Sequence, residues 1–154
     1  MSQQARDDLV NSGKLVFQDA SQKSDLENTA LTQTQLIALL QYLCVTKGHH
    51  IEITACRSDH HDDSDLAPTP PHLGTHAGGW AVDCWPLTDG TPGSYIDPST
   101  QAFRDFLSDV KRAPYLLQIG LGGAADTEAN RAAAGDTVFS DDGADHIHCG
   151  TQSA

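Results

Sequence analysis

The chain has 154 residues, room for one domain with one core and no need of staples. Its 21 acidic and 9 basic residues leave a formal net charge of −12, which argues against holding nucleic acid or an anionic membrane by charge. Mean hydropathy of −0.38 and the lack of a bilayer-length apolar run place the sequence among soluble globular chains. The start, Met1 to Asp8, is polar and lacks the apolar segment of a secretory signal. The expectation is synthesis in the cytoplasm, with any action outside depending on another route of release.

Residues 1–30 read as a polar N-terminal arm with one apolar patch, Leu15-Val16-Phe17, suited to a short strand or helix. Residues 31–154 read as the domain proper. Thr32 and Gln35 have capping-box spacing, and Leu36, Leu39, Leu40 and Leu43 recur at helical period, so a helix is expected over 32–47 with Gly48 as its stop. The alternation and β-branched residues of 50–57 predict a strand ending at Arg57. The acidic, histidine-bearing stretch 58–75 lacks EF-hand spacing and reads as a solvated loop.

Residues 80–87 predict a second strand. A helix follows over 98–112, capped by Asp97 with Pro98 in its first turn, burying Ala102, Phe103, Phe106, Leu107 and Val110. A strand at 115–121, a short helix at 126–134, and short strands at 137–139 and 146–149 complete the order. That mixture predicts an α+β fold, helices packed on a small, largely antiparallel sheet.

Two polar islands interrupt these apolar strands. One runs from His76 to Asp83, the other is Asp145-His146-Ile147-His148. Two imidazoles and a carboxylate make the usual three-ligand shell of a catalytic zinc, whose fourth position is left to water. His76 and Asp83 are an odd seven apart, so on one regular strand they would face opposite ways. Gly78-Gly79 supplies the turn that re-aims His76. Ala81 shares the face of Asp83, while Trp80, Val82 and Cys84 face the core. His146 and His148 share one face, with Ile147 and Cys149 on the other. The four cysteines, Cys44, Cys56, Cys84 and Cys149, form no CxxC pair and read as core fillers; a disulfide among them stays open.

The pattern Gly74-Thr75-His76-Ala77-Gly78-Gly79-Trp80-Ala81-Val82-Asp83, followed by Asp145-His146-Ile147-His148, resembles the SxHxxGxAxD and acid-x-x-His motifs of the zinc D-alanyl-D-alanine carboxypeptidases and L-alanyl-D-glutamate endopeptidases. That group also includes lysostaphin-type peptidases and the hedgehog domain, and the resemblance spans roughly residues 30–150. It implies a hedgehog-like and D-Ala-D-Ala-peptidase-like fold, and one zinc ion on His76, Asp83 and His148. It further implies Asp145 as general base, Arg57 as a stabiliser of substrate or transition state, and His146 within the site without being a ligand. Gly74 stands where the family has Ser, which removes a supporting hydroxyl, and the base is Asp, one methylene shorter than Glu.

The activity so implied is cleavage of peptidoglycan stem peptides next to alanine, as an endopeptidase or D,D-carboxypeptidase. A phage lysis or virion-associated enzyme acting at the bacterial wall fits this reading. Its partners are then the wall peptide and other virion proteins, with neither nucleic acid nor membrane. The alternative is a non-catalytic, zinc-stabilised structural or binding module, for which an acid at 145 has no use.

Overall fold

The computed structural model describes residues 1–59, 74–76, 78–136, 138–140 and 146–153. Within them, the order is helix α1 (Gln3–Val10), strand β1 (Leu15–Phe17), helices α2 (Ala20–Glu27) and α3 (Thr34–Gln41), strands β2 (His50–Ala55) and β3 (Ala81–Leu87), helix α4 (Gln101–Arg112), strand β4 (Leu116–Leu121), helix α5 (Glu128–Ala134), and strands β5 (Val138–Ser140) and β6 (Ile147–Thr151). The chain is thus a mixed α/β structure with a six-stranded mixed sheet, ordered β1-β2-β3-β6-β4-β5.

The central pairings β2–β3, β3–β6 and β6–β4 are antiparallel, while the outer pairings β1–β2 and β4–β5 are parallel. A parallel pair needs a crossover rather than a hairpin. Helices α2 and α3 supply it between β1 and β2, and α5 supplies it between β4 and β5. The parallel edges therefore come from helices lying between strands that are neighbours in both sequence and space.

Residues 1–30 contribute two helices and a strand. Leu9, Val10, Leu15 and Leu26 belong to the same buried cluster as Leu36, Leu40, Ile53, Phe106 and Ile147. Arg6 is buried among them, and its guanidinium donates to the carbonyls of Leu26 (3.2 Å) and Thr32 (2.7 Å). These carbonyls would otherwise be orphaned by burial, so the charged group is held by acceptors that bear no charge.

Helix α3 starts later than its spacing predicts. Thr32 spends its hydroxyl on the Asp25 carbonyl, 2.7 Å away, and Gln33 takes the N-cap position. The apolar stripe Leu36, Leu39, Leu40 and Leu43 is fully buried, as its period requires. Beyond Gln41 the helix widens into a π-helical turn over Tyr42–Thr46, and Gly48 ends it at φ +77°. Helix α4 also starts late: Asp97 accepts the Ser99 amide, and Thr100 is the residue whose side chain caps the Phe103 amide. Phe103, Phe106, Leu107 and Val110 are buried, but Ala102 is exposed.

Each β strand of the centre buries one face in the core, with Ile51 and Ile53 of β2, Val82 and Cys84 of β3, Ile119 and Leu121 of β4, and Ile147 and Cys149 of β6. Alternation then places Asp83 and His148 on the other face. All four cysteines are buried free thiols, and the Cys84 and Cys149 sulfurs lie 3.9 Å apart. Burial pushes the Cys44 thiol up to about 12 and raises Cys56 as well, so these sulfurs stay protonated fillers. Trp80 is buried as expected but sits outside the main cluster. No described helix is long and apolar enough to cross a membrane.

Candidate metal centre

The sheet register builds the site. Along one row across the sheet, Ala55 of β2 faces Asp83, Asp83 faces His148, His148 faces Gly120, and Gly120 faces Phe139. Residues paired this way stand side by side on one face. Asp83 and His148 are therefore neighbours by backbone geometry alone. Ala55 and Gly120 flank them with little or no side chain.

His76 arrives from outside the sheet, on a tight turn. The Gly79 amide donates to the His76 carbonyl (2.8 Å), the Trp80 amide to the Thr75 carbonyl (3.0 Å), and the Gly78 amide to the Thr75 hydroxyl (3.2 Å). Gly79 has φ +76°, a conformation L side chains rarely adopt, and a Cβ there would stand 2.2 Å from the Leu31 carbonyl oxygen. The turn is held against the start of α3 by the Gln33 amide, which donates to Gly79. This is the re-aiming device that the odd spacing of His76 and Asp83 demands.

Three donor atoms converge. His76 Nε2 lies 3.0 Å from Asp83 Oδ1 and 3.0 Å from His148 Nδ1, and the latter two are 3.3 Å apart. Four-coordinate zinc with bonds of about 2.0–2.1 Å places its donors roughly 3.3 Å from one another. The triangle fits such an ion with shifts of a few tenths of an ångström. All three residues are buried, and among the described residues they are the group placed to hold a metal ion.

The ring orientations are fixed from behind. His148 Nε2 lies 2.9 Å from the Gly74 carbonyl oxygen. A carbonyl only accepts, so Nε2 carries the proton and Nδ1 turns its lone pair toward Asp83 and His76. Gln118 donates to the same carbonyl at 3.1 Å, and the Gly74 amide donates to Thr151 of β6. Gly74, read from sequence as the loss of a hydroxyl, thus supplies a backbone acceptor to the ligand. It has φ +77°, and a Cβ there would stand 2.7 Å from the Gln118 amide nitrogen. Phe139 closes another side, its ring edge-on to His148 at 5.5 Å.

Burial opposes ionisation of Asp83, but the imidazoles of His148 and His76 at hydrogen-bonding distance, with His146 nearby, hold its carboxyl well below the usual range. A depressed acid stabilises the fold above its unfolded-state value, and the contribution fades as pH falls through the folded one. Asp83 is therefore an anion at every ordinary pH. With two neutral imidazoles it forms a donor set of the N/O type that suits zinc and related divalent ions.

The remaining expected residues divide. His146 lies on the same face, its Nε2 3.5 Å from Asp83 Oδ2. Arg57 opens a 3₁₀ turn, Arg57–Asp59, two residues past Ala55, the register partner of Asp83. That turn is pinned to α2 by Ser58, whose amide and hydroxyl both donate to the Asp25 carboxylate. Asp145 and residues 60–73, most of the stretch expected to be a solvated loop, lie outside the described residues.

Gln118, Gly120 and Gly150 were not singled out in the sequence. Gln118 left a signal, as the one polar side chain in the strand Leu116–Leu121. Gly150 lies under the backbone of Gly74, where a Cβ would meet Gly74 atoms at 3.0 Å and Gln118 Cγ at 2.8 Å. Replacing Gln118 by Leu is expected to lower metal affinity by roughly 10- to 100-fold, the usual cost of an outer partner, without unfolding the chain. Competition with a chromogenic chelator measures it.

Comparison with protein families, characterised proteins and solved structures finds no match for the chain.

Proposed function

We propose that the protein is a zinc-dependent peptidase acting on peptidoglycan stem peptides next to alanine, with His76, Asp83 and His148 holding the metal. The observation that carries this reading is the triangle of His76 Nε2, Asp83 Oδ1 and His148 Nδ1, buried and set with near-tetrahedral spacing. The motif resemblance to zinc D-alanyl-D-alanine peptidases, with its hedgehog-like fold, supports the substrate class. Zinc, when bound, supplies a Lewis acid and lowers the pKa of water to about 7.

The chain's own residues do the rest. Asp145, three positions before His148, takes the proton of the attacking water and hands it to the leaving amine. Arg57 stabilises negative charge developing on the scissile carbonyl oxygen. His146, facing Asp83, serves the same oxyanion when protonated. A phage lysis or virion-associated role agrees with a small acidic chain, since charge alone would not hold it to an anionic wall.

Two measurements test this. Mass spectrometry of peptidoglycan incubated with the zinc-loaded protein should show new amine termini at alanine bonds. Absence of any product, with zinc bound, would leave a non-catalytic zinc module instead. Asp145→Ala should retain zinc and lose hydrolysis by at least 10²-fold, the lower end of what general acid–base catalysis contributes. Unchanged turnover would remove Asp145 from its role.

A further inference from the structure

At Trp85 of β3 opens a cleft of about 440 Å³, a volume within the range of ligand pockets. Its walls include Trp85, Tyr95, Ile96 and Pro98, with Thr54 and Asp97 among its polar groups. Trp85 is two residues along β3 from Asp83, on the same face and about 7 Å away. His146, one residue before Ile147, the register partner of Cys84, lies with its Nε2 3.5 Å from Asp83 Oδ2. Thr54 sits at the register shift between Ile53 and Ala55, next to the residue that faces Asp83.

The chemistry of this cleft has one sign. Among the described residues that line it, none is Lys, Arg or His. Asp97 is exposed at its edge, and its carboxyl is held below the usual range by the Ser99 hydroxyl and amide. Glu52 faces Trp85 across the β2–β3 pair and is only 5% exposed, and the Tyr95 hydroxyl donates to its carboxylate. Trp85, Tyr95 and Asp97 thus line a partly apolar space, with the Glu52 carboxylate behind the Tyr95 hydroxyl. Aromatic faces and carboxylates both attract cations, and the methylene stem of an amino side chain can lie along Ile96 and Pro98.

We propose that this cleft is the subsite that receives an amine-bearing side chain of the peptide substrate, about two residues from the bond placed at the metal. An extended peptide advances about 3.3 Å per residue, so a carbonyl at the metal centre puts a side chain two residues away at Trp85. The inference rests on the peptidase reading above and adds to it a preference among substrates. An anionic or neutral side chain at that position gains nothing from Asp97 and Glu52.

The test uses two synthetic peptides, L-Ala-γ-D-Glu-L-Lys-D-Ala-D-Ala and the same peptide acetylated on the lysine amine. Calorimetric titration into the full, zinc-loaded chain carrying Asp145→Ala measures binding without turnover. The free amine is expected to bind about tenfold more tightly. The preference should fall below about twofold in a further variant with Asp97→Asn and Tyr95→Leu. Both are exposed positions, and Asn keeps the turn contact to Ser99. Equal binding of the two peptides, no binding of either, or a preference that survives the double substitution overturns the proposal. Cleavage by the unaltered protein is scored separately. Hydrolysis without amine preference leaves the peptidase and removes the subsite, whereas amine-selective binding without hydrolysis keeps the subsite and removes the peptidase.

Discussion

Asp83→Asn is expected to abolish zinc retention while the chain stays folded. The substitution keeps the shape of the side chain and its ability to hydrogen-bond the two imidazoles, and takes away the charge. Asp83 is the one anion among the three converging donors, since the others are imidazoles that must be neutral to bind a metal. In a site where all three residues are more than nine-tenths buried, water screens little of the attraction between a carboxylate and a divalent ion. The affinity should therefore drop well beyond the 10- to 100-fold assigned to loss of Gln118. Metal content after dialysis, with circular dichroism as a check on folding, measures the result. Stoichiometric zinc in the variant would remove Asp83 from the ligand set.

Gly79→Ala is expected to be strongly destabilising for the addition of a single methyl. The new Cβ would lie 2.2 Å from a backbone oxygen, that of Leu31, in a residue at φ +76°. Neither neighbour can yield cheaply, because the 31–33 segment is tied to Gly79 through Gln33 and to Arg6 through Thr32. Left-handed strain of about 1–2 kcal/mol adds to an overpacking cost of about 1–3 kcal/mol. The sum corresponds to a fall in melting temperature of roughly 5–15 °C for a domain of this size. Gly48→Ala is the control: a closely similar φ of +77°, but nothing within 4 Å of the added Cβ. It should show the strain alone, about 1–2 kcal/mol. Equal melting temperatures for the two variants would mean that the turn is not pressed against α3.

These expectations separate what the sequence carried from what it did not. Strand parity alone put Asp83 and His148 on one face and Cys84, Ile147 and Cys149 on the other, because alternation is a local rule. The need for a turn at Gly78-Gly79 was likewise legible, since an odd offset cannot place two ligands on one side of a regular strand. The acceptor behind His148 was not legible. It is a backbone carbonyl reached across 74 residues, and a carbonyl leaves no mark on residue identity. What does leave a mark is the absence of side chains at Gly74 and Gly150, and each glycine has a meaning only once the other is known to lie against it. Helix starts slipped for a similar reason. Thr32 had the right local pattern for a cap, and a distant carbonyl, that of Asp25, took its hydroxyl. The parallel edges of the sheet were missed because the strands β1 and β5 are three residues each, too short to show a period.

Strand β6 comes last of the six in sequence and yet lies in the interior of the sheet, between β3 and β4. Without it there is no single sheet, only two fragments: β1-β2-β3 on one side and the β4-β5 pair on the other. The β3–β6 pairing joins strands farther apart in sequence than any other pair in the sheet, so loop-closure entropy makes it the pairing expected to form late. The same strand brings His148 beside Asp83 of β3. A metal that needs both Asp83 and His148 would therefore not serve as an early template for the fold. An ion bound there would act as a latch, lengthening the life of the closed sheet by slowing its reopening.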